Sequence, residues 1–216
     1  ARYDEYIGGG FRRKTVSLIG ARMKIGKSIF GDNVAIHVAH RLKIPVLMID
    51  TEMSLYDHYN RILAYFTKTH IKSIETAAFV NNPTVNEKIN KAVNIIKNIP
   101  YTYKNVAGKS FEEILSIIHR WVIKDVGFDE NGNTKDCLVI YDYLKLMKSS
   151  SISSTMQEFQ VLGFQISELH NFCVKYDIPV LAFVQLNREG IIKDSTDVVS
   201  QSDRLLWLCT NFAIFR

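Results

Sequence analysis

Cysteine is scarce in this sequence. Its three cysteines, Cys137, Cys173 and Cys209, each stand alone within an apolar run, with no C-x-x-C pair. That pattern excludes a disulfide framework, offers no ligand set for zinc and fits a reducing compartment. Long apolar runs are lacking too. The longest, such as residues 179–184 and 205–209, fall far short of the ~20 residues a membrane helix needs, so the expectation is a soluble protein with no membrane partner. Only 4 prolines and 11 glycines occur among 216 residues, and 47% hydrophobic with 23% charged residues is a globular balance, far from collagen-like or disordered composition. The first ten residues, ARYDEYIGGG, begin with Ala and show no basic-then-apolar leader. The chain therefore reads as part of a longer polypeptide, and its length suggests one domain.

Basic residues are in modest excess. The net charge is +5 and the isoelectric point near 9.0, which permits an anionic partner without requiring one. Their distribution is uneven, because Arg12, Arg13, Lys14, Arg22, Lys24 and Lys27 share one window that contains no acid.

Strand-like and helix-like segments alternate along the chain. Residues 14–20 (KTVSLIG) read as a strand ending in glycine, and residues 27–41 as a helix with Phe30, Val34 and Val38 one turn apart. Residues 44–50 (IPVLMID) are a continuous apolar run ending in an acid, the look of a parallel strand buried on both faces. Ser54 and Asp57 cap the next helix, whose stripe is Tyr59, Leu63 and Phe66. In the Asn-, Lys- and Ile-rich residues 73–98, Thr84 and Glu87 form a capping box for an amphipathic helix. Ser110 and Glu113 cap another, with Phe111, Ile114, Ile118 and Trp121 on one face. Residues 137–141 (CLVIY) form a buried strand. After the serines of residues 149–154, Thr155 and Glu158 cap a long helix carrying Phe159, Leu162, Ile166, Leu169 and Cys173. Residues 179–185 and 205–209 supply two more strands. This alternation predicts an α/β fold, a mostly parallel twisted sheet with helices on both faces, in which ligands bind beyond the carboxyl ends of the strands.

Chemistry is therefore sought at those ends. The first leads into Gly20-Ala21-Arg22-Met23-Lys24-Ile25-Gly26-Lys27-Ser28. This is close to the phosphate loop G-x-x-x-x-G-K-[ST], whose backbone N–H groups wrap phosphates, whose Lys reaches the β/γ oxygens and whose hydroxyl binds Mg²⁺. One position departs: Ala21 stands where the motif has glycine. The second strand ends in Asp50-Thr51-Glu52-Met53, and either acid could accept a proton from a water attacking a γ-phosphate. The third ends in Asp142, a candidate holder of Mg²⁺, and the fourth in Gln185, an amide able to hydrogen-bond a γ-phosphate.

Together these segments resemble the RecA-like motor domain of the DnaB-type replicative helicases of bacteria and phages. That family's loop reads A-R-x-x-x-G-K-[ST], as Ala21-Arg22 to Lys27-Ser28 do. Glu52-Met53 is similar to its L-E-M segment carrying the catalytic glutamate, and Arg61-Ile62-Leu63-Ala64 to the stretch after it. Asp142-Tyr143-Leu144-Lys145-Leu146-Met147 resembles D-Y-L-Q-L-M, with Lys for Gln, Gln185-Leu186-Asn187-Arg188 resembles Q-L-N-R, and Ser200-Gln201-Ser202-Asp203 followed by Leu205-Leu206 resembles E-Q-D-A-D-L. The resemblance runs from about Gly8 to about residue 210. It implies that residues 1–216 are one P-loop NTPase motor domain, separated from an N-terminal primase-interacting domain and from the C-terminal segment that carries the arginine finger.

The resemblance implies an ATP-dependent (or other NTP-dependent) DNA helicase in the cytoplasm of a bacterium or phage-infected cell, forming a homo-oligomer, a hexameric ring around single-stranded DNA, with primase and a helicase loader as partners. On this reading Lys27, Glu52 and Gln185 act on the phosphate, residues Ala21, Arg22, Met23, Lys24, Ile25, Gly26, Lys27 and Ser28 bind the nucleotide, and Ser28 with Asp142 holds Mg²⁺. Basic residues on the loops after Asp142 and Gln185, namely Lys145, Lys148, Arg188 and Lys193, are the expected DNA contacts. Two other functions are compatible with the fold: a strand-exchange ATPase, and a helicase accessory that binds nucleotide as a switch. The second would lack a catalytic acid, whereas Glu52 and Asp142 are both present.

Overall fold

The computed structural model describes residue 5 and residues 8–144, 158–185 and 209–215. Six strands, β1 (Val16–Ala21), β2 (Val46–Asp50), β3 (Tyr101–Asn105), β4 (Leu138–Leu144), β5 (Val180–Gln185) and β6 (Asn211–Phe215), form one sheet in the order β3-β2-β4-β5-β1-β6. Every pairing is parallel. The helices are α1 (Lys27–Ile36), α2 (Leu55–Thr67), α3 (Ile71–Glu75), α4 (Pro83–Asn98), α5 (Phe111–Trp121) and α6 (Glu158–Tyr176). Short π-helical turns, His37–Arg41 and Val122–Val126, extend α1 and α5.

The apolar runs of the central strands are continuous because each strand has a core on either side. Leu18, Leu47, Ile49, Val139, Tyr141 and Ala182 face one core with α5 and α6. Ile19, Met48, Ile140, Leu181 and Phe183 face the other with α1 and with Ile62 of α2. Successive residues thus alternate between cores, as the period of two in a strand requires.

Two expectations are extended by the packing and two are corrected. Helix α1 buries Gly31, Ala35 and Ile36, and Ala39 follows in its π-helical extension, beside Phe30, Val34 and Val38, which pack half-buried against the same core. Small residues let the helix approach the sheet closely: a Cβ at Gly31 would stand 3.0 Å from Phe183 Cε2. In α2 the buried positions are His58, Asn60, Ile62 and Thr67, with Tyr59, Leu63 and Phe66 of the expected stripe half-buried beside them. Helix α4 starts at Pro83 and is capped by Asn82, whose side chain accepts the Val85 N–H at 3.2 Å. Thr84 is inside that helix rather than its cap, because Pro at the first position costs no hydrogen bond. The last strand runs Asn211–Phe215 and Cys209 precedes it. Residues 205–208, like Thr155 of the expected cap on α6, lie outside the described residues. The capping box of Ser110 and Glu113 and the Ser54 cap on the Asp57 N–H form as expected. Strand β3, which follows Pro100 at the sheet edge, is an addition to the expected set; only Tyr103 of its five residues is buried.

Candidate active site

The carboxyl ends of four adjacent strands open on one cleft of about 500 Å³. From β1 the chain leaves at Ala21, which is completely buried and has ordinary strand geometry. This explains why alanine serves where the general loop has glycine: the position needs no left-handed backbone. The turn is made further on, at Lys24 (φ 64°) and Gly26 (φ 104°). Gly26 then starts α1 with no side chain capping it. A helix start with uncapped N–H groups is suited to a phosphate by both hydrogen bonding and dipole. Met23, Lys24, Gly26, Lys27 and Ser28 line the cleft, whereas Ala21, Arg22 and Ile25 stand outside its wall.

The cleft also takes in Asp50 and Glu52 from the end of β2, Asp142 and Tyr143 from β4, and Gln185 from β5. Registers align these ends, since Asp50 pairs with Asp142 and Ala21 with Gln185. Lys27 is buried, and desolvation pulls its pKa down while Asp142 and Glu52 oppose that. Its ammonium lies over the Tyr143 ring, 4.1 Å from the centroid.

The two acids at the end of β2 have different surroundings. Asp50 is buried, and its Oδ1 accepts the backbone N–H of Glu52 at 2.7 Å and of Met53 at 2.8 Å. Burial raises the Asp50 pKa against those hydrogen bonds. Glu52 is exposed to the cleft, and its Oε1 accepts the Tyr143 hydroxyl at 3.0 Å. The Met53 carbonyl is fixed from the neighbouring strand, accepting Tyr103 Oη at 2.7 Å and Asn105 Nδ2 at 2.6 Å.

Asp142 is buried, hydrogen-bonded to Ser28, and raised in pKa by its burial and by Asp50. Its Oδ1 is buried without a hydrogen-bond partner. An orphaned carboxylate oxygen beside a serine hydroxyl fits Mg²⁺, which takes one or two protein oxygens and completes its shell with phosphate and water. Among the described residues no group of three or more His, Cys, Asp or Glu side chains could hold a metal by itself.

Sequence reasoning did not assign roles to several residues found here. Arg61 of α2 lines the cleft and its charge acts on Asp32, Asp50 and His58. Both Arg61 and Tyr143 stand inside segments of recognisable pattern, which was the available signal. Behind the cleft, His58 is fully buried, stacks on Tyr103 at 3.8 Å between centroids and hydrogen-bonds Tyr101 Oη at 2.6 Å. Its Nδ1 is 3.5 Å from Asp32 Oδ1, and neither atom has a hydrogen-bond partner. Lys145, Lys148, Arg188 and Lys193 lie outside the described residues, so the expected DNA contacts have no geometry here.

Comparison with known proteins places these features. The family model described as "DnaB-like helicase C terminal domain" matches residues 2–198. A "Probable replicative DNA helicase" of Trieres chinensis is 26% identical over 183 residues, which are 83% of this chain and 37% of that protein. A "Replicative DNA helicase DnaB" of Nostoc sp. is 24% identical over 187 residues, 86% of this chain and 20% of that protein. The chain thus spans well under half the length of these curated relatives. A solved structure described as an ATPase domain superposes with a TM-score of 0.81 at 20% identity, covering 95% of this chain and 70% of that one. A DnaB-like replicative helicase, solved in a study of its interactions with primase, gives 0.79 at 20% identity, over 93% and 46%. The superpositions bear out the expected RecA-like fold, and with the family match over nearly its whole length the chain belongs to the DnaB-like helicase C-terminal domains.

Proposed function

We propose that this chain is the NTP-hydrolysing motor of a replicative DNA helicase, which translocates on single-stranded DNA and unwinds the duplex. Nucleotide use comes with the family; ATP with Mg²⁺ is the pair proposed here. The observation that supports the reading best is the convergence of Lys27, Ser28, Glu52, Asp142 and Gln185, from four strand ends, on one cleft.

In that cleft the uncapped start of α1 and the Lys27 ammonium bind the β- and γ-phosphates, and the charge on Lys27 offsets the charge that accumulates during transfer. Glu52 takes the proton of the attacking water, for which its exposed position suits it. Ser28 and Asp142 hold Mg²⁺, which when bound neutralises phosphate charge and orients the leaving group. The Gln185 amide hydrogen-bonds the γ-phosphate and, at the end of β5, stands where its loss can be felt by the segment that follows.

A nucleotide-switch accessory would have no need of an acid held in the cleft, and Glu52 is fixed there by hydrogen bonds with Asp50 and Tyr143. Phosphoryl transfer of this class gains roughly 10³ to 10⁵ in rate from an arginine finger, which in our reading a neighbouring copy in a hexameric ring supplies. Single-stranded DNA in the ring channel, gripped through Lys145, Lys148, Arg188 and Lys193, a primase, a helicase loader and a cytoplasmic location complete the proposal. The test is hydrolysis of ATP by the longer polypeptide with and without single-stranded DNA, with oligomer size measured alongside. DNA-stimulated turnover by a hexamer is expected; DNA-independent turnover by a monomer would contradict the motor.

A further inference from the structure

Asp142 and Tyr143 are consecutive in β4, yet both reach the cleft. A regular strand would send one of them to the other face. The exception coincides with an irregular pairing of β4 with β5. Tyr141 pairs with Ala182 and Leu144 with Val184, so β4 uses one residue more than β5 over the same stretch. An extra residue of this kind re-aims side chains locally, and such irregularities are frequent beside active sites.

The re-aimed ring meets two residues of opposite charge. Its face receives the Lys27 ammonium at 4.1 Å, and its hydroxyl donates to Glu52 Oε1 at 3.0 Å. An aromatic face is a favourable neighbour for a buried cation that burial penalises. One side chain thus fixes both the lysine of the phosphate loop and the acid expected to receive the water's proton.

We propose that Tyr143 is a positioning residue for phosphoryl transfer, orienting Glu52 through its hydroxyl and Lys27 through its ring. The proposal rests on the reading of Lys27 and Glu52 given above. It divides the tyrosine into two separable parts. The hydroxyl serves the water-activating step alone, since Glu52 has no part in holding the phosphates. The ring serves nucleotide binding, because it sets where Lys27 stands.

The experiment measures steady-state ATP hydrolysis with Mg²⁺ by the longer polypeptide and three variants, with melting temperature as a check on folding. Tyr143→Phe keeps the ring and loses the hydroxyl. Its kcat should fall roughly tenfold, a fraction of the 10² to 10⁴ that a positioned base supplies, with KM and melting temperature unchanged. Tyr143→Leu loses both parts, so its KM should rise severalfold in addition. Wild-type kcat in Tyr143→Phe would overturn the proposal, as would a loss accompanied by equally weakened ATP binding or a lowered melting temperature. Glu52→Gln separates the layers of the argument. If Glu52→Gln is inactive while Tyr143→Phe is normal, the tyrosine's role alone is refuted; normal turnover in Glu52→Gln refutes the reading beneath it.

Discussion

Asp50 Oδ1 accepts the backbone N–H of Glu52 at 2.7 Å, so one of the two acids after β2 holds the other in place. Spacing alone leaves both open as proton acceptors. The proposed choice of Glu52 rests on their surroundings, because the Asp50 oxygen already serves the N–H groups of Glu52 and Met53. Asp50→Asn keeps an acceptor oxygen and should retain turnover within about tenfold of wild type. Asp50→Ala leaves both N–H groups without this partner and should lose both activity and about 1–3 kcal/mol of stability. Denaturant titration and initial rates check both; an Asp50→Asn variant as inactive as Glu52→Gln would show that Asp50 is itself the base.

The Met53 carbonyl is held by Tyr103 and Asn105 of β3. Tyr103→Phe and Asn105→Ala each remove one donor, and the remaining one can still hold the carbonyl. Asn105→Ala should therefore lose little and Tyr103→Phe, which also removes a hydrogen bond with Asp50, somewhat more, while the double variant loses kcat by more than the product of the two single effects. Strictly multiplicative losses would mean that the two donors do not act on one peptide.

Asp32 gives a stability signature with a definite sign. Burial pushes its pKa up from 3.8 to about 7, with Asp142 and Asp50 adding to the shift and Arg61 opposing it. Between those values the folded protein keeps a proton that the unfolded chain has released, so this group's contribution falls as pH rises and its penalty is complete above about pH 7. His58, pushed down to about 3 by burial, imposes the opposite slope as pH falls below its ordinary range. It is present in both proteins of the comparison. Asp32→Asn should thus be more stable than wild type by roughly 1–3 kcal/mol at pH 8, with the difference vanishing near pH 4. Urea denaturation across this range checks it, and a difference independent of pH would contradict the assignment.

The parts of the fold that the sequence discloses are those where burial is two-sided. Strands β1, β2, β4 and β5 are largely apolar because both faces pack, and each ends at or beside a residue of suitable chemistry. Strand β3 escapes notice because an edge strand with one buried tyrosine leaves no apolar run. The face of α1 is legible only in part for a related reason: beside Phe30, Val34 and Val38, close approach to the sheet selects Gly31, Ala35 and Ala39, which carry little hydrophobic signal. Within the site, residue types and strand ends point to Lys27, Ser28, Asp142 and Gln185. The division of labour proposed for Asp50 and Glu52 rests on two hydrogen bonds, and the placing of Tyr143 goes with an extra residue in one strand. No local pattern encodes either.

The most direct test of the central claim compares ATP binding with ATP hydrolysis in Glu52→Gln, using the longer polypeptide with Mg²⁺. An amide at position 52 keeps the shape of the side chain and cannot accept the proton, so binding should match wild type while single-turnover hydrolysis falls about 10² to 10⁴-fold. Hydrolysis at the wild-type rate would contradict the account, because the residue held by Asp50 and Tyr143 at the mouth of the cleft would then have no part in the chemistry.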